Sequence, residues 1–125
     1  MPLKTYRELE AWKKGIELVE AIYLLCKTMP AEERFGLISQ IQRAAVSIPA
    51  NIAEGYGRTH RGEYVHHLSI ARGSLMELET HLTVIVRLGM VTREQATTAW
   101  SLCQEVGKLL GGLIASLQRP PMPKP

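Results

Sequence analysis

The sequence predicts an all-α protein, an antiparallel, up-and-down four-helix bundle with a left-handed twist. Three observations carry that prediction. Four segments repeat apolar residues at steps of three and four, the period of one helix face. Short connections marked by Pro, Gly or Thr join them, which makes consecutive helices antiparallel neighbours. No stretch alternates apolar and polar residues as a half-buried strand would. At 125 residues the chain is long enough for one domain whose core needs neither disulfide nor metal. With 46% apolar residues and one Phe, that core is aliphatic.

The first helix is expected over residues 6–28. Leu9, Trp12, Ile16, Val19, Tyr23 and Cys26 form its stripe, Thr5 and Glu8 have capping-box spacing, and Pro30 stops it. The second, over 32–56, carries Ile38, Ile41, Ala45, Ile48 and Ile52. Glu32 and Glu33 fall in its first turn, where the helix dipole favours carboxylates. Pro49 removes one backbone hydrogen bond and is expected to kink this helix near Ala45, and Gly55 and Gly57 end it. The third, over 60–88, repeats Tyr64, Leu68, Ala71, Leu75, Leu78, Leu82 and Ile85, with Gly89 as its C-terminal cap. The fourth, over 93–118, carries Ala96, Ala99, Cys103, Val106, Leu110, Leu113 and Leu117 behind a Thr92–Gln95 capping box. The bundle thus occupies residues 1–118. The Pro-rich residues 119–125 are expected to be a disordered tail.

Several function classes are set aside by composition and spacing. The first ten residues lack the apolar stretch of a signal peptide, and no run of about 18 apolar residues exists, so neither export nor a membrane partner is expected. Cys26 and Cys103 lie inside apolar patterns and form no CxxC pair, which reads as two buried free thiols in a reducing cytoplasm. A di-iron bundle needs Glu-x-x-His motifs at mid-bundle, whereas Glu63-x-x-His66, the single such spacing, falls in the first turn of its helix. No glycine-rich phosphate loop follows a strand, neither cysteine is spaced with a base, and His81 lies within the third helix. No metal, cofactor or enzymatic activity is therefore expected.

Three features exceed what the fold requires. On the second helix Gln40, Arg43, Ser47, Asn51, Glu54 and Arg58 share one narrow face. Two readings fit: a solvated polar face, or a buried or interfacial network in which short neutral side chains pair. Counting back from the turn at Thr59 and His60 sets Arg43 level with Glu77 and Glu79. An Arg43–Glu77 pair is expected, whose breakage would cost about 3–5 kcal/mol if buried. On the fourth helix Gly107, Gly111 and Ala115 recur every four residues. Glycine inside a helix costs about 1 kcal/mol relative to alanine, so this stripe implies close approach by another backbone, of this chain or another subunit. With Trp100, Leu102, Leu109 and Ile114 widening the apolar surface, an oligomer interface at Gly107, Gly111, Ala115 and Trp100 is expected.

The third feature is charge. The net charge is +3, and the excess falls at one end of the predicted bundle. There Lys4, Arg7, Lys13, Lys14, Arg58, Arg61, Arg119 and Lys124 stand against Glu8, Glu10, Glu54 and Glu63, beside His60, His66 and His67. Arg7, Lys13, Lys14, Arg58 and Arg61 are candidate contacts to the phosphates of RNA or DNA, gripped without reading bases. A purely solubilising role fits the same charge.

The stretch from Gly36 to Gly55, GLISQIQRAAVSIPANIAEG, resembles the signature of bacterial four-helix-bundle proteins known as intervening-sequence or S23-type ribosomal proteins. Tyr6 to Trp12, the Gly57–Arg58 step and Ser69 to Thr80 agree with it, and the resemblance runs to Gln118. It implies a homopentameric, barrel-like assembly, and it places Gln40, Arg43, Ser47, Asn51, Glu54, Ser74 and Glu77 in the family motif. Some members are encoded within intervening sequences of large-subunit ribosomal RNA genes. A similar fold serves as the accessory variability determinant of diversity-generating retroelements, where it binds a reverse transcriptase. Two functions follow as expectations. The first is a non-enzymatic, oligomeric protein associated with RNA through its basic end. The alternative is a protein-interaction scaffold, such as an accessory subunit for a reverse transcriptase.

Overall fold

The computed structural model describes residues 5–119, and among them it contains four α-helices and no strand. These are α1 (Glu10–Cys26), α2 (Leu37–Tyr56), α3 (Arg61–Arg87) and α4 (Arg93–Gln118). Helix α1 packs on α2 and α4, and α3 packs on the same two, while the diagonal pairs do not approach one another. The helices therefore occupy the corners of a square. Residues rising along α2 meet residues falling along α3: Ser47 faces Ser74, Asn51 faces His67, and Gly55 lies against Tyr64.

Two helix starts lie later than the sequence predicts. Tyr6–Glu8 is a separate 3-10 turn, in which the Thr5 hydroxyl accepts from the Arg7 N–H at 3.3 Å instead of closing a capping box with Glu8. Leu9 then turns extended (φ −70°, ψ 127°) and drops into the core, so α1 begins at Glu10. Glu32 and Glu33 likewise belong to a 3-10 turn, Ala31–Glu33, and not to the first turn of α2. Gly36, at φ −110° and ψ −107°, breaks the chain direction before Leu37. The other boundaries follow local chemistry. Gly89 takes φ +74°, its N–H donates to Val86 O at 3.0 Å, and the Met90 N–H donates to Ile85 O at 2.9 Å, a complete Schellman end. Thr92 and Gln95 form the reciprocal capping box, at 2.8 and 3.0 Å.

The core is aliphatic, and among the described residues no polar side chain is buried in it. Leu18, Ile22, Ile41, Ile48, Ile52, Leu68, Leu78, Leu82, Ile85 and Leu110 are fully enclosed. On α1 the buried face is not the predicted one. Ala11, Gly15, Leu18, Ile22, Leu25 and Cys26 face inward. Ile16 remains 36% exposed and Tyr23 43%, with Trp12 and Val19 half-buried. The cause is close approach: a Cβ on Gly15 would stand 3.4 Å from Pro49 Cβ, so α1 rolls its small residues onto α2 and turns its bulkier stripe outward. Pro49 is thus a buried contact within a continuous α2. Gly55 also differs from expectation, being buried inside α2 instead of ending it. On α4, Ile114 is part of the core. No helix among the described residues is long and apolar enough to cross a membrane.

Candidate functional site

The polar stripe of α2 divides into an inner and an outer half. Its inner half lies in the seam with α3. Ser47 Oγ is 2.9 Å from Ser74 Oγ. The Asn51 amide nitrogen donates to Ser47 O at 2.9 Å and to Ser47 Oγ at 3.0 Å. His67 Nδ1 lies 3.2 Å from Asn51 Oδ1. An amide oxygen only accepts, so Nδ1 carries the proton, and Nε2 is the free ring nitrogen when the imidazole is neutral. Ser47 Oγ accepts from the amide, and either hydroxyl of the Ser47–Ser74 pair can donate to the other. This half-buried chain ties α2 to α3.

Among the described residues the outer half makes no inter-helix bond. Arg43 donates to Ser39 Oγ at 3.4 Å, and Glu77 sits 3.2 Å from His81 Nε2. The expected Arg43–Glu77 pair is therefore not formed: each group turns outward and finds a partner four residues away on its own helix. Glu54 pairs with Arg58 at 2.7 Å, and Gln40 is exposed. His67 was not legible as part of the seam. A signal for it exists, since His67 and Ser74 are seven residues apart, two turns on one face, while Asn51 and Ser47 share a face one turn apart.

At the end where α2 meets α3, carboxylates already hold several of the candidate phosphate contacts. Lys13 lies 3.3 Å from Glu10, and Lys14 bridges Glu17 at 3.4 Å and Glu105 of α4 at 3.5 Å. The hydrogen bond to Glu17 and the charge of Glu105 hold the Lys14 ammonium above its usual range. Arg58 is taken by Glu54. Arg7, whose guanidinium sits 5.7 Å from the Tyr6 ring centre, and Arg61 in the first turn of α3 form no ion pair among the described residues. Lys4, Lys124 and the tail beyond Arg119 lie outside the described residues.

The small-residue stripe of α4 faces outward. A Cβ on Gly107 would meet only the Leu75 side chain, at 3.4 Å, and one on Gly111 would meet nothing within 4 Å. Among the described residues, no backbone of another helix comes within 4 Å of such a Cβ on Gly107 or Gly111. Ala115 is exposed, and Trp100 is 42% exposed.

Chemically reactive groups are subdued. Burial pushes the Cys26 thiol up to about 11, and burial together with the charge of Glu79 pushes Cys103 up to about 12. Both are protonated at neutral pH and are poor nucleophiles. Among the described residues no cluster of three His, Cys, Asp or Glu side chains is placed to hold a metal ion.

Residues 7–112 match the family model described as 23S rRNA-intervening sequence protein. The chain belongs to the 23S rRNA-intervening sequence protein family. A similar solved structure is the 1.70 Å crystal structure of a protein with unknown function from the S23 ribosomal protein family of Bacteroides thetaiotaomicron. It is 31% identical, with a TM-score of 0.77, and the match covers 83% of this chain and 97% of that one. No curated protein matches the chain. The span matched by the 23S rRNA-intervening sequence protein family takes in the whole α2–α3 seam, Arg7, Arg61 and the stripe through Gly111.

Proposed function

We propose that the chain is a non-enzymatic building block of a ring-shaped homo-oligomer that associates with RNA through the end where α2 meets α3. The observation that carries this reading is a pair of unlike apolar faces on opposite sides of the helix square. Trp12, Ile16, Val19 and Tyr23 lie on the flank of α1 that follows Gly15 toward α2; Lys14, on the other flank, reaches α4. Exposed Val46, one turn before Pro49, extends that face onto α2. The opposite side carries exposed Trp100 and Met76, the open surroundings of Gly111 and exposed Ala115. The first face presents exposed side chains, and the second holds a groove between α3 and α4. A head-to-tail contact between unlike faces repeats from copy to copy and closes into a ring when the rotation permits. The family resemblance supports five copies of an antiparallel, up-and-down, left-handed bundle.

The RNA assignment rests on Arg7 and Arg61, which pair with no carboxylate among the described residues and would repeat in every copy around the ring. Attraction of this kind is sequence-tolerant and weakens with salt. Solution mass and the electrophoretic mobility of structured RNA at two salt concentrations test both parts. A multiple of the 14.0 kDa protomer that retards RNA more strongly at low salt is expected. A monomer would overturn the assembly, and an absence of retardation at low salt would overturn the RNA role. A second reading, a protein-interaction scaffold such as a reverse-transcriptase subunit, is favoured by the carboxylates that already occupy Lys13, Lys14 and Arg58. The free thiols of Cys26 and Cys103 fit a cytoplasmic location for either.

A further inference from the structure

We propose that Phe35 of one copy fills the groove between α3 and α4 of the next, so that each groove is completed only in the assembly. The inference rests on the ring reading above and adds the anchor that holds it. Phe35, the only phenylalanine, is 91% exposed, and among the described residues its ring contacts no other ring. A large apolar side chain held this fully in water is the kind of residue that anchors an interface. It sits on the connection between α1 and α2, just before Leu37.

The groove has a volume of about 440 Å³, with Leu82, Val86, Ala96 and Trp100 in its walls and Arg87 and Arg93 beside them. A cavity of about 150 Å³ already accepts a benzene ring, so there is room for a phenyl side chain and part of its loop. Its height matches. Ser47 faces Ser74 and Asn51 faces His67, so the start of α2 is level with the end of α3, where the groove lies. A rotation about an axis parallel to the helices keeps that height. It also brings the α1–α2 side of one copy to the α3–α4 side of its neighbour. The protomer's own Phe35 is on the wrong side of the square to fill its own groove.

Charge agrees with shape. Glu32 and Glu33 precede Phe35, and neither forms an ion pair among the described residues; nor do Arg87 and Arg93. The remaining charges, Arg34 next to Phe35 and Glu94 next to Arg93, are also opposite in sign.

The test compares solution mass, measured on the parent chain, and Trp100 emission, measured in a Trp12→Phe background that leaves Trp100 as the sole tryptophan. The mass of that background is first shown to equal the parent's, since Trp12 lies on the α1 face. The expected result is an assembly whose Trp100 emission is blue-shifted relative to the dissociated protomer. Phe35→Ala should abolish that shift and weaken assembly at least tenfold while helical circular dichroism is unchanged. Arg87→Glu with Arg93→Glu should weaken assembly, and adding Glu32→Arg with Glu33→Arg should restore it, which a merely structural lesion would not. An oligomer whose mass and Trp100 emission survive Phe35→Ala overturns this proposal and leaves the ring standing. A parent protein that stays monomeric overturns both.

Discussion

Gly55 of α2 lies so close to His67 of α3 that a Cβ on the glycine would sit 2.8 Å from the histidine Cβ. The same atom would stand 3.1 Å from both the Tyr64 carbonyl oxygen and its ring. Two of these neighbours are fixed by the α3 backbone, so neither can swing aside. Gly55→Ala should therefore cost about 1–3 kcal/mol in urea denaturation, although alanine is the better helix former. Gly15→Ala, whose new atom would meet Pro49 Cβ at 3.4 Å, should cost less.

Gly111 presents the opposite case. Its open surroundings mean that Gly111→Ala should raise the stability of the dissociated protomer by about 0.5–1 kcal/mol, through helix propensity alone. Gly111→Trp, whose Cβ also enters open space, should lower the solution mass if a neighbouring copy seats there, with protomer melting measured alongside. Tyr23→Glu should do the same from the other face, with thermal melting of the protomer nearly unchanged.

The seam between α2 and α3 supports a contrast in stability. Asn51 holds Ser47 and His67 together from a half-buried position. Asn51→Ala should cost about 1–3 kcal/mol, because partners lose their bonds out of full contact with water. Arg43→Ala should change stability by no more than about 0.5 kcal/mol, since Arg43 is exposed and its contact is local. Equal losses in chemical denaturation would contradict the division of the stripe into inner and outer halves.

Alkaline pH should destabilise the fold through its thiols. Both cysteines titrate at 9.0 ordinarily, but in the folded chain at about 11 for Cys26 and about 12 for Cys103. Between those values the unfolded chain has released protons that the folded chain retains, so stability falls as pH rises. Below pH 9 the thiols make no pH-dependent contribution. The Cys103→Ala variant, less stable overall, should show a shallower decline in denaturation midpoint from pH 9 to 11. At pH 8 neither thiol should react with a disulfide reagent until the protein unfolds.

Among the cations, pairing predicts rank. Arg61→Ala and Arg7→Ala should each weaken RNA retardation and lower the slope of log affinity against log salt by about 1. Lys13→Ala and Arg58→Ala should have smaller effects, because a phosphate would first have to displace Glu10 or Glu54. Filter binding across a salt series checks the order.

Some of this was legible along the chain. The α2 residues of the seam, Ser47 and Asn51, stand out by their spacing, whereas His67 is obscured by two neighbouring histidines, His60 and His66, that point to the charged end. Counting residues levels Arg43 with Glu77, but it sets height along a helix and not the direction of a long side chain, and each group bonds along its own helix.

What the sequence determined by itself is the set of four helices and those boundaries that depend on residues within reach of one another. The Thr92–Gln95 box and the Gly89 turn are bonds between near neighbours, so local chemistry suffices for them. Only the tertiary structure decided which face of α1 is buried. That helix offers two apolar stripes, and the contact of Gly15 with Pro49, far away along the chain, chooses the one with small residues. The stripe left outside, with Ile16 and Tyr23, is what gives one side of the bundle an exposed apolar face. Burial is a property of two packed surfaces, and a periodic pattern describes only one of them.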